Sequence, residues 1–158
     1  MKHSIQVGFS FGLTSAIITS IGLIVGLHAS TNSELAVIGG IITIAVADAL
    51  SDALGIHISE EFENVHTPKE VWIATISTFL TKFVVAASFL APILLLSLGT
   101  AVIICIIWGM LLLGIFSWFI GKAQGTNKWS VITEHLTIAV VVILLTHYLG
   151  IWIEHTFS

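Results

Sequence analysis

The chain has 158 residues, 56% of them hydrophobic and only 9% charged, with a mean hydropathy of +1.08. Soluble domains carry roughly 25% charged residues, so this composition excludes an ordinary water-facing fold and predicts an all-α, polytopic membrane protein. The net charge of −4 speaks against a nucleic-acid partner, and one cysteine, Cys105, allows no intrachain disulfide.

Apolar runs near the ~20-residue spanning length recur five times, at about 5–28, 34–62, 68–96, 100–120 and 130–153. The first is too long for a signal-peptide core and lacks an obvious cleavage site, so it reads as a span. Thr31 and Glu34 have capping-box spacing ahead of the second. "TPKE" opens the third with Thr67 as N-cap, Pro68 at the first helical position and Glu70 closing the box. Pro92 is expected to kink its far end. The loops are too short for a second domain, so residues 1–158 form one five-helix unit.

There is no arginine, and the lysines are Lys2, Lys69, Lys82, Lys122 and Lys128. With five spans, every lysine except Lys82 falls at one side, which the positive-inside rule makes cytoplasmic. The N-terminus is then inside and the C-terminus outside. Trp72, Trp118, Trp129 and Trp152 sit near span ends, as interfacial anchors should. Gly8 and Gly12, Gly22 and Gly26, and the stripe Ala47, Ser51, Gly55 have the small-xxx-small spacing of close helix contacts.

The intramembrane charges carry the strongest functional signal. Asp48 and Asp52 lie one helical turn apart in an apolar run, and at ~1.5 Å per residue Lys82 reaches a comparable depth in the third span. A mid-membrane charge costs ~2.5–3.5 kcal/mol on insertion scales, so all three should face protein or a wet cavity. Two adjacent carboxylates do not both ionise cheaply unless a cation intervenes. Lys82 is one candidate for that cation, and a divalent metal ion is another. The competing reading is an Asp–Lys pair that serves only helix assembly.

Toward the cytoplasmic end of the second span come His57, Glu60, Glu61 and Glu63, then His66. Carboxylates with imidazoles suit intermediate divalent ions such as Fe²⁺ or Mn²⁺, although for Glu61 and Glu63 individually a solvated acidic helix end is the better reading, and His57 and Glu60, nearer the bilayer, carry the signal. Glu134 and His135 stand at the cytoplasmic entrance of the fifth span, and His147 lies deep within it. No nucleophile–base spacing suggests an enzyme, and no resident cofactor is implied.

The first span, "FGLTSAIITSIGLIVGL", resembles the opening helix of the vacuolar iron transporter family, approximately F-G-x-x-D-G-L-x-x-x-F-G-L-x-x-G. Phe11-Gly12, Gly22-Leu23 and Gly26 align without a gap. The second, "ADALSDALGIHIS", resembles A-x-x-L-S-M-x-x-G-E-Y-x-S through Leu50, Ser51, Gly55 and Ser59, and "FLTKFVVAASFLAP" matches the third span loosely. The resemblance implies a symmetric homodimer in the lipid bilayer, its first helices lining a pathway that carries Fe²⁺ or Mn²⁺ out of the cytoplasm in exchange for protons. The departures are equally specific. The family's first-span aspartate falls on Ser15 and its second-span methionine on Asp52. Ile56 and His57 replace the Glu-Tyr pair, and "EEFENVHTPKE" replaces the glutamate-rich cytoplasmic domain. The expected cation site is therefore Asp48 and Asp52, with Ser15 and Glu134 on the pathway and Lys82 balancing charge. His57, Glu60 and Glu61 are expected to form a cytoplasmic entry site. The alternative is a non-transporting scaffold or assembly subunit whose Asp–Lys pair is structural.

Overall fold

A computed structural model describes residues 2–157, with Lys2 described in its backbone only. The Lys2 side chain, counted in the lysine asymmetry, therefore lies outside the described residues. The elements are α1 (Lys2–Thr31), α2 (Glu34–Thr43), a π-helical turn (Ile44–Asp48), α3 (Ala49–Glu63), α4 (Pro68–Ser88), α5 (Leu90–Leu95), α6 (Leu98–Gln124) and α7 (Lys128–Phe157). They form five helices long and apolar enough to cross a bilayer, in the register expected from sequence. The second span is α2, the π turn and α3; the third is α4 and α5. By length and composition this is a multi-pass membrane protein.

Caps set the span boundaries. The Thr67 hydroxyl accepts the Glu70 N–H at 3.4 Å and the Glu70 carboxylate accepts the Thr67 N–H at 3.1 Å, with Pro68 at the first position. This is the expected capping box. The second span starts differently. Ser33, not Thr31, is its N-cap, accepting the Ala36 N–H at 3.3 Å. The Thr31 hydroxyl instead donates back to the Leu27 carbonyl at 2.7 Å and accepts the Ser33 N–H at 3.2 Å, so it serves the end of α1 and the turn. The third span breaks at Phe89, ahead of Pro92. A proline ring clashes with the carbonyl four residues earlier and supplies no N–H to it, which places the disturbance at Ser88–Phe89. The Cys105 thiol, buried on α6, approaches the Phe89 carbonyl at 3.6 Å.

α1 is the axis of the bundle and touches each of the other four spans. Its inward residues Ile17, Ile21 and Ile24 are fully buried, with Ile41, Ile93, Cys105 and Leu113 joining the same core. The first-span glycines explain this central position. A Cβ at Gly12 would stand 2.7 Å from the Thr78 carbonyl oxygen, and one at Gly150 would stand 2.6 Å from that of Gly26. Backbones cross that closely only where no side chain intervenes. Gly8, Gly12, Gly22 and Gly26 thus seat α1 against α4 and α7 within one chain.

Successive spans alternate in direction. His3 stacks on His66 with ring centroids 5.8 Å apart, and Phe9 meets Phe116 edge-on at 5.8 Å. The chain start, the loop before α4 and the end of α6 therefore share one end of the bundle. Lys122 and Lys128 also lie at that end, each 5.2 Å from the Trp118 ring.

Candidate functional site

Halfway along three spans, Ser15, Asp52, Asp48 and Lys82 meet. Lys82 projects from α4 and is 1% exposed, among the most deeply buried large side chains in the protein. Its ammonium contacts the Asp52 carboxylate directly, lies 2.6 Å from Asp48 Oδ2, and donates to the Ser15 hydroxyl at 2.8 Å. Ser15 Oγ donates in turn to Asp52 Oδ2 at 2.6 Å. Two donor positions of the ammonium are thus used in hydrogen bonds to Ser15 and Asp52, while Asp48 Oδ2 is held as an ion pair without hydrogen-bond geometry.

The sequence builds this cluster locally. Lys82 and Thr78 occupy the buried face of α4 that packs on Gly8 and Gly12, which brings α1 close enough for the short Ser15 side chain to bridge. Asp48 closes the π turn and Asp52 lies in the first turn of α3. A π turn closes i→i+5 bonds and is found often at functional sites. Here it ends on the first carboxylate, Asp48.

The aspartates remain open on their other side, with 32% of the Asp48 and 20% of the Asp52 side chain exposed at the protomer surface. With both carboxylates ionised and Lys82 charged, the cluster carries one surplus negative charge. The chain around it repeats in tetrads, of which the sequence analysis names only the Ala47, Ser51, Gly55 stripe. Ile42, Val46, Leu50, Leu54 and Ile58 form an exposed bulky row. Thr43, Ala47, Ser51, Gly55 and Ser59 form an exposed small row beside it. Asp48 and Asp52 occupy the third, half-buried row, and Ala45, Ala49 and Ala53 the fourth, buried one. The spacing was visible in the letters, but nothing in them told which row faces outward.

The expected entry residues separate into two groups. His57 Nδ1 lies 2.9 Å from the Thr75 hydroxyl, and its ring meets Trp72 edge-on at 4.7 Å. His57 and Glu61 open together onto a cavity of about 260 Å³, shared with Asn64, His66 and Trp72. Glu60 turns inward instead. It is buried, and its Oε2 faces His66 Nε2 at 3.5 Å, while Glu63 approaches the same nitrogen at 3.7 Å. Glu134 is exposed on α7, and no hydrogen bond or ion pair links it to the aspartates among the described residues. Its neighbour His135 bonds the Ser117 hydroxyl at 2.8 Å. Among the described residues, no three of His, Cys, Asp and Glu converge on a point that could hold a metal ion. The aspartate pair and the His57–Glu61 cavity are therefore separate places.

Fold and site together define a five-helix membrane bundle with a buried lysine held between two half-open aspartates. Comparison with protein-family models, with curated proteins and with solved structures returns no match. The resemblance to vacuolar iron transporters accordingly stands on the quoted motifs alone.

Proposed function

We propose that this protein is a homodimeric transporter of divalent transition-metal cations, Fe²⁺ or Mn²⁺, that carries them out of the cytoplasm in exchange for protons. The observation that carries the reading is the Asp48–Asp52–Lys82 cluster. One lysine offsets one carboxylate, and the second leaves a negative charge at mid-membrane, open on the side away from the lysine. An anionic oxygen pair in low dielectric attracts a cation or a proton. A divalent ion arriving there competes with Lys82 for the same oxygens and displaces any proton, so cation and proton move in opposite directions. Lys82 acts as a tethered counter-charge for the empty site. On this reading His57 and Glu61 receive the ion at the lysine-bearing end, which the positive-inside rule makes cytoplasmic.

The direct contact of Lys82 with both aspartates, bridged by Ser15, favours the second reading, a scaffold whose ion pair fastens three helices. Purified protein in liposomes, assayed with a panel of divalent cations with and without a proton gradient, decides between them. Uptake of Fe²⁺ or Mn²⁺ that is driven by an opposing proton gradient and lost in Asp52→Asn supports transport. Absence of cation flux in the intact protein sinks it.

A further inference from the structure

Lys122 stands one helical turn beyond Trp118 on α6, so the two share a face. The turn after α6 brings a second lysine to the same place. Gly125 ends α6 in the left-handed conformation, with φ 67°, and a Cβ at Gly121 would stand 2.8 Å from the Lys128 Cα. The missing side chain lets α7 start directly against α6. Both ammoniums end 5.2 Å from the centre of the Trp118 ring, so they are no further apart than twice that distance. Neither pairs with a carboxylate among the described residues, and the Trp118 indole N–H donates to nothing there. Two cations repel, and one indole face offsets them only in part. Three donors without an acceptor suit an anion.

The same indole walls an apolar groove of about 530 Å³ on the outer face of α6 and α7, with Met110, Ile115 and Leu136 along it. From Trp118 to Met110 the groove follows about 12 Å of helix. Gly114 deepens it, since a Cβ there would meet nothing within 4 Å. We propose that the groove and the lysine pair together hold one anionic phospholipid, its phosphate between Lys122 and Lys128 and an acyl chain along the groove.

The occupant follows from charge and depth. The groove ends at the lysine-bearing face, where Trp and Lys mark the headgroup level, and runs inward along a helix that crosses hydrocarbon. A ligand that fills it is anionic at one end and apolar over the rest, and a lipid of that leaflet already lies at that depth. Free phosphate would leave the groove unused. A second copy of the chain docked through this face would set lysines against lysines. A zwitterionic headgroup carries its own cation beside the phosphate, so a net anionic one is favoured by basic residues at the membrane surface. Lys69 lies at the same end of the bundle, on α4 and outside the groove, which makes it the control for charge alone. The proposal goes beyond the transport reading and does not depend on it.

The test is native mass spectrometry of the full chain in detergent with phosphatidylglycerol or phosphatidylcholine of the same chain length. The first phosphatidylglycerol should bind roughly tenfold more tightly than phosphatidylcholine. Lys122→Gln and Lys128→Gln should each weaken it roughly fivefold, whereas Lys69→Gln, which removes the same charge, should leave it unchanged. Gly114→Leu has room in the protomer, so it should keep its helical circular dichroism while losing most of the bound lipid with both lysines present. Excess inorganic phosphate should not displace the lipid. Equal affinity for the two lipids, a loss in Lys69→Gln as large as in Lys122→Gln or Lys128→Gln, or full binding by Gly114→Leu would overturn the site. Displacement by inorganic phosphate would assign the lysines to a free anion and overturn it too. So would a dimer broken by Gly114→Leu with its lipid retained, which would give the groove to a second copy.

Discussion

Ser15 on the first span and Lys82 on the third are joined by a 2.8 Å hydrogen bond from ammonium to hydroxyl. The family that the first span resembles has an aspartate at the Ser15 position. Here the carboxylate stands across the gap, on Asp52, and Ser15 donates to it at 2.6 Å. The negative charge beside the lysine thus sits on the second helix, and the first contributes only the Ser15 hydroxyl.

Lys82→Met should be the most damaging single change in the bundle. It leaves two aspartates without their cation, and breaking a buried pair from one side costs ~3–5 kcal/mol. Adding Asp48→Asn and Asp52→Asn should recover most of that loss, since replacing a whole buried charge cluster is often neutral. Thermal unfolding in detergent checks both. A triple variant no more stable than Lys82→Met would mean that the lysine acts through packing alone.

Asp52→Asn should abolish cation flux while the fold survives, because Lys82 still faces Asp48 at 2.6 Å. Asp48→Asn leaves the Lys82–Ser15–Asp52 triangle intact and should reduce flux without abolishing it. Initial rates of Mn²⁺ entry into liposomes separate the two. Normal flux in Asp52→Asn assigns the pair to helix assembly.

Gly12→Leu should destabilise the protomer itself. Its side chain would meet the Thr78 backbone, and overpacking typically costs ~1–3 kcal/mol, more where backbone must move. The expected result is a lower unfolding temperature at every protein concentration. A loss of dimer with an unchanged protomer would instead place Gly12 at an intersubunit contact.

Glu60 and Glu61, adjacent in sequence, should respond differently to glutamine. Glu61 opens onto the polar cavity beside His57, so Glu61→Gln should raise the cation concentration for half-maximal flux and leave stability alone. Glu60 is buried, and its Oε2 faces His66 without a hydrogen bond among the described residues, so Glu60→Gln should raise the unfolding temperature by removing a buried carboxylate that lacks a hydrogen-bond partner. Equal effects of the two variants on flux and on stability would refute this division.

Much of the architecture follows from local chemistry that the letters carry. Span number and length follow from apolar runs, the third-span start from Thr67, Pro68 and Glu70, and its break from Pro92. The common depth of Asp48, Asp52 and Lys82 follows from helical rise and alternating direction. The second-span cap was misread, because Thr31 and Ser33 are both competent caps and the choice depends on where α1 ends. The inward turn of Glu60 also escaped, since it depends on His66 arriving from beyond the helix.

The sequence by itself determined that there are five apolar helices and that three charges lie near mid-membrane; the tertiary structure alone decided which faces meet. In water, a helix advertises its buried side by the contrast between apolar and polar faces. In lipid the surroundings are as apolar as the core, and association depends on close packing and interhelical polar contacts. Gly12 and Gly55 therefore look alike as letters, yet the first is pressed against Thr78 and the second faces out of the chain. Only the fit of all five helices around α1 distinguishes them.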